Sequence, residues 1–147
     1  MKITKLLFAI ACVVGLVSAA SAAVTPTTGQ FVFNFTITLS STIATTTAIG
    51  CVAEVSVSGD NALPGIQETL VKAATRSGNT ATCTVTIPYS WNLGSPATDK
   101  VSLQYTIEAP VRGGAYGVPY RSSHQNLGTI AVPANGATTT ETIAATI

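Results

Sequence analysis

The sequence predicts an all-β chain, a two-sheet β-sandwich of about seven strands held by one disulfide, formed as a single domain over residues 23–147. Three observations lead there. Apolar and polar residues alternate with period two through several segments, the pattern of strands with one buried face. Threonine, alanine, serine and glycine are abundant while charged residues make up only 9% of the chain, and the β-branched and aromatic content argues against disorder. Two of the three cysteines remain once the N-terminal segment is set aside.

That segment reads as a secretory signal over residues 1–22. Lys2 and Lys5 precede an apolar run from Leu6 to Val17, and Ala20-Ser21-Ala22 is a small-residue cleavage pattern. The run is shorter than the roughly 20 residues of a membrane span, and it continues past Cys12, which argues against a lipid-bearing cysteine. Cleavage would place the remaining chain in a secreted, periplasmic or cell-surface setting with no stable membrane insertion. It would also convert the formal charge of +1 to −1, because five cations would then face six acids. No basic footprint is left for nucleic acid or an anionic membrane surface.

In chain order, the first strand is "QFVFNFTITL", with Phe31, Phe33, Phe35, Ile37 and Leu39 on one face and Val32, Asn34, Thr36 and Thr38 on the other. "IGCVAEVSVSG" puts Cys51 on the face of Ile49, Ala53, Val55 and Val57. "DNALPG" then reads as a turn. The segment "IQETLVKAAT" carries helix signals, namely Glu68 early, Lys72 and Arg76 late and Gly78 beyond. The hairpin turn expected at Gly78-Asn79 and the surrounding strands favour a strand instead.

"GNTATCTVTIPYSW" aligns Cys83 with Ala81, Val85 and Ile87, so both sulfurs point inward and an exported chain should join them. On the chain-entropy model a loop of this length gains about 3–4 kcal/mol. "VSLQYTIEA" repeats the alternation, with Val101, Leu103, Tyr105 and Ile107 inward. A short strand over 128–132, a turn at Pro133-Ala134-Asn135-Gly136 and a last strand through Ile143, Ala145 and Ile147 complete the count. The spacing suits an immunoglobulin-like or fibronectin-like sandwich, although Trp91 follows the second cysteine, where true immunoglobulin domains carry their tryptophan between the two.

"GQFVFNFTITL" leading to Cys51 resembles the Gly-x-hydrophobic first strand of chaperone-assembled pilins. The resemblance covers about 20 residues, and this chain departs from that family in lacking a penultimate tyrosine. It implies a fibre subunit.

The sequence offers little for catalysis. His124 is the single histidine, and the six acids are scattered without paired spacing. No metal-ligand spacing is present: His124 has no second histidine beside it, the two core cysteines are taken by the disulfide, and Asp60-Asn61 reads as a turn. The expectation is a protein that is not an enzyme and uses no cofactor and no metal.

Two stretches are candidates for binding. Residues 109–126, "APVRGGAYGVPYRSSHQN", lack either periodicity and read as a long loop: either a crossover whose tyrosines cover a sheet end, or a binding surface in which Arg112, Tyr116, Tyr120, Arg121 and His124 supply forked donors and rigid amphipathic area. Trp91 with Tyr89 either caps the core, which strand parity favours, or meets a partner or sugar rings at a loop mouth. Asn34-Phe35-Thr36 is an N-glycosylation sequon on the outer face of its strand.

The expected function is an exported non-catalytic structural or surface protein of the fimbria or filament-subunit kind, acting by strand pairing and surface contact through protein partners or self-association. Apolar strands at both ends of the chain suit strand exchange. The alternative is a monomeric secreted module that holds a protein or carbohydrate with the 109–126 loop.

Overall fold

The computed structural model describes residues 25–58, 66–109 and 122–147, the side chains of 122 and 123 excepted. Among these residues eight strands form, β1 (Thr27–Thr38), β2 (Gly50–Ser58), β3 (Gln67–Ala73), β4 (Thr75–Ser77), β5 (Thr80–Trp91), β6 (Lys100–Glu108), β7 (Ser122–Ala131) and β8 (Ala137–Thr146). They make two four-stranded sheets packed face to face, with orders β4-β5-β1-β8 and β3-β2-β6-β7. Every pairing is antiparallel except that of β1 with β8. The described residues contain no helix, and so none that is long and apolar enough to cross a membrane.

Period-two alternation explains the core directly. Phe31, Phe33, Phe35 and Ile37 of β1 face Cys51, Ala53 and Val55 of β2 and Val101, Leu103 and Ile107 of β6, all buried. Each large side chain among them gains about 1.5–3 kcal/mol from leaving water. β1 pairs with β5 over twelve residues and with β8 over ten, so the strand that begins the described chain is central in its sheet. Both terminal strands are therefore paired within one chain.

The strand predicted over 66–75 is present, but it divides between the sheets. β3 ends at Ala73, the Ala74 N–H donates to the Ile49 carbonyl at 2.9 Å, and β4 continues in the opposite sheet beside β5. One side of the sandwich is closed by this crossing, and the count rises to eight. The hairpin joining β4 to β5 is a two-residue loop with Gly78 at φ 58 and Asn79 at negative φ, the type II′ arrangement whose twist matches the flanking strands.

β7 requires a correction. It begins at Ser122, so residues 122–126 belong to a strand and His124 is not on a loop. Alternation is missing there because β7 is an edge strand whose residues 124–129 are all exposed, and no buried face selects apolar residues. The predicted turn at Asn135-Gly136 is present, with Gly136 at φ 80. Asn135 fixes it to the start of β1, its Oδ1 accepting from both the N–H and the hydroxyl of Thr28 at 2.8 Å. The expected turn at 60–65 lies outside the described residues.

Candidate functional site

Cys51 and Cys83 are bonded, with Cα atoms 6.7 Å apart across the two sheets. Strand parity alone sets this up, since Cys51 pairs with Ile107 and Cys83 with Phe35, both on inner faces.

Trp91 lies in the core, 3% exposed, on the inner face of β5. Its ring stacks on Tyr89 with centroids 4.1 Å apart, and Phe31 closes the cluster at 5.1 Å from Tyr89 and 6.0 Å from Trp91. The indole N–H donates to Glu68 Oε1 of β3 at 2.7 Å, a charge-assisted bond from one sheet to the other. Glu68, whose charge resembled a helix signal, is thus the polar partner of the one tryptophan.

Tyr89 reaches this position because its cross-strand neighbour is Gly29. A Cβ at Gly29 would meet the Tyr89 hydroxyl, would lie 2.6 Å from Tyr89 Cζ and 2.5 Å from the Ala137 carbonyl oxygen. The phenol is buried without a hydrogen-bond partner among the described residues, and burial pushes its pKa above the usual 10.0.

The remaining candidates do not converge. His124 is exposed on the outer face of β7, its Nδ1 3.0 Å from Thr106 Oγ1. That is the outer face of one sheet, whereas Trp91 is on the inner face of the other. Arg112, Tyr116, Tyr120 and Arg121 lie outside the described residues. No cluster of three or more His, Cys, Asp or Glu able to hold a metal exists among the described residues. A hollow of about 240 Å³ lined by Ala48, Ile49, Gly50, Val71, Ala73 and Glu108 is smaller than the roughly 300 Å³ lower bound for small-molecule pockets.

Two polar groups, one buried and one half-buried, have structural roles that their places in the sequence do not show. Asp99 is fully buried and neither carboxylate oxygen has a partner among the described residues. Arg76, also taken for a helix-end charge, donates to the carbonyls of Ala44 at 2.7 Å, Gly78 at 2.9 Å and Ile43 at 3.3 Å, tying the 40s loop to the β4–β5 hairpin.

The most extended surface feature is the outer face of the β4-β5-β1-β8 sheet. β5 presents Thr80, Thr82, Thr84 and Thr86; β8 presents Thr138, Thr140, Thr142 and Thr146, all exposed. Between them β1 presents Thr28, Gln30, Val32, Asn34, Thr36 and Thr38. Register sets them in rows, for example Thr84, Asn34 and Thr142, with Thr84 Oγ1 donating to Asn34 Oδ1 at 2.9 Å. Strand geometry spaces the hydroxyls about 4.8 Å across strands and about 6.8 Å along them. No outward position of this sheet is charged, whereas Glu54, Lys100 and Glu108 occupy the outer face of the other sheet.

Comparison with protein-family models, with curated proteins and with solved structures found no match for this chain.

Proposed function

We propose that this is an exported, non-catalytic structural or surface protein of the fimbria or filament-subunit kind, acting by strand pairing and surface contact. The observation that supports it most is the outer face of the β4-β5-β1-β8 sheet, where threonine hydroxyls stand in register and no charge interrupts them. A charge-free face imposes no like-charge penalty when copies of the chain approach one another, and hydroxyls pair with hydroxyls as donor and acceptor alike. Inside the sandwich, Glu68 holds Trp91 and the two cysteines join the sheets.

Sedimentation velocity and electron microscopy of the purified protein across a wide concentration range test this reading. Concentration-dependent assemblies of folded chains are expected. A strict monomer at every concentration would overturn it.

A further inference from the structure

Four strands end the two sheets among the described residues, and three of them are guarded against pairing. β4 is only three residues long. β3 carries Lys72 and bends away into β4. β7 breaks register opposite Leu103 and Gln104 and holds Gly128 at φ 97, a bulge that twists its edge. The stretch of β5 left bare beyond β4 contains Pro88, which has no N–H to offer.

β8 has neither the brevity, the bend nor the bulge of the other three, and a single charge, Glu141, is all that guards it. It runs ten residues in unbroken register with β1, from Gly29 opposite Ala137 to Thr38 opposite Thr146, and contains neither proline nor glycine. Its composition, "ATTTETIAAT", favours strands. Its second backbone edge has no strand beside it among the described residues. The one charge, Glu141, is opposite Phe33 and shares its inner face, so the outward side is uncharged.

We propose that β8 is the joint between two copies of this chain, which pair antiparallel about a two-fold axis and merge two four-stranded sheets into one of eight. The proposal rests on the self-associating role argued above and adds the partner, the strand and the register. Identical edges meeting across a two-fold satisfy one another completely, the usual closure of symmetric dimers. Charge selects the register. Centring the pair on Glu141 would set two carboxylates directly opposite, which is unfavourable. Centring it on Thr142 sets that threonine against its own copy and each Glu141 against Ile143 of the second copy. This register uses residues 138–146 of both strands and continues the threonine rows across the joint.

The test is cross-linking with sedimentation. With Thr142 side chains opposite one another, their Cβ atoms fall about 4.5–5.5 Å apart, close to disulfide reach. Thr142→Cys should therefore give a covalent dimer on mild oxidation, while Thr138→Cys, facing residue 146 of the second copy, should give none. Thr142→Lys should weaken the dimer by about tenfold or more, since the two ammonium groups would face each other. Thr69→Lys, exposed on the outer face of the other sheet opposite Glu54, should leave it unchanged; circular dichroism checks that both lysine variants remain folded. Association that persists in the wild type with no Thr142→Cys cross-link and no loss in Thr142→Lys would overturn the joint and leave the structural role standing. No association of the wild type would remove both.

Discussion

Replacing Gly29 with alanine probes how the aromatic end of the core is built. Gly29 has a negative φ, so alanine meets no backbone strain there, and the smaller freedom of the unfolded chain would by itself favour the variant by about 0.4–1 kcal/mol. The new methyl group, however, would collide with the Tyr89 ring and sit 2.5 Å from the Ala137 carbonyl oxygen. Overpacking of this kind costs about 1–3 kcal/mol. Moving Tyr89 also loosens its contacts with Trp91 and Phe31, now at 4.1 and 5.1 Å, which contribute about 0.5–1.5 kcal/mol each. The clash wins, with a net loss of about 3 kcal/mol, or roughly 10 °C in Tm for a domain of this size. Urea unfolding followed by fluorescence of Trp91, the single tryptophan, measures it directly. In a Tyr89→Leu background the same substitution should cost less, because part of the collision has gone. A Gly29→Ala protein as stable as the wild type would refute the packing argument.

Other expectations follow from single contacts. Glu68→Ala strands the buried indole N–H and should lower stability by about 1–3 kcal/mol in urea titrations, with a change in the Trp91 emission maximum. Reducing the Cys51–Cys83 bond, or changing both residues to alanine, should cost about 3.7 kcal/mol on the chain-entropy model, read as a lowered unfolding midpoint. Asp99→Leu removes two buried, unpaired oxygens and should raise stability by about 1–3 kcal/mol; a loss of that size would mean the carboxylate is held by a partner. Because burial raises the Tyr89 pKa in the fold, the unfolded chain releases that proton first. Stability should thus be intact below pH 10.0 and fall as pH rises through the higher folded value, an effect that Tyr89→Phe should abolish in alkaline unfolding curves.

Much of the fold was legible because burial imposes parity. β1, β2, β5 and β6 each have one face in the core, and in each the inward residues can be picked from alternation alone, down to Cys51 and Cys83 facing one another. β3 and β7 have little or no covered face, so nothing in their sequences enforces a period. That is why "IQETLVKAAT" resembled a helix and why His124 was assigned to a loop. Glu68 and Arg76 were visible as charges, but their partners, Trp91 and the carbonyls of Ile43, Ala44 and Gly78, lie at other points of the chain and are brought near only by the sheet order.

The features proposed for function depend on that order more than on any motif. Each threonine of β1, β5 and β8 is individually the expected outward residue of a half-buried strand. Only the placement of β1 between an antiparallel β5 and a parallel β8 turns three separate alternations into one uncharged hydroxyl face. The same placement decides which strand is free. The alternation in "QFVFNFTITL" and that in residues 143–147 look equally suited to pairing with another chain, yet among the described residues β1 has both backbone edges satisfied and β8 only one. A strand with two neighbours must lose one before it can join a third, so exchange through β1 would break a ladder that addition at β8 leaves whole. Association through the C-terminal strand therefore carries the lower barrier, and substitutions on β8 that leave β1 untouched should control it.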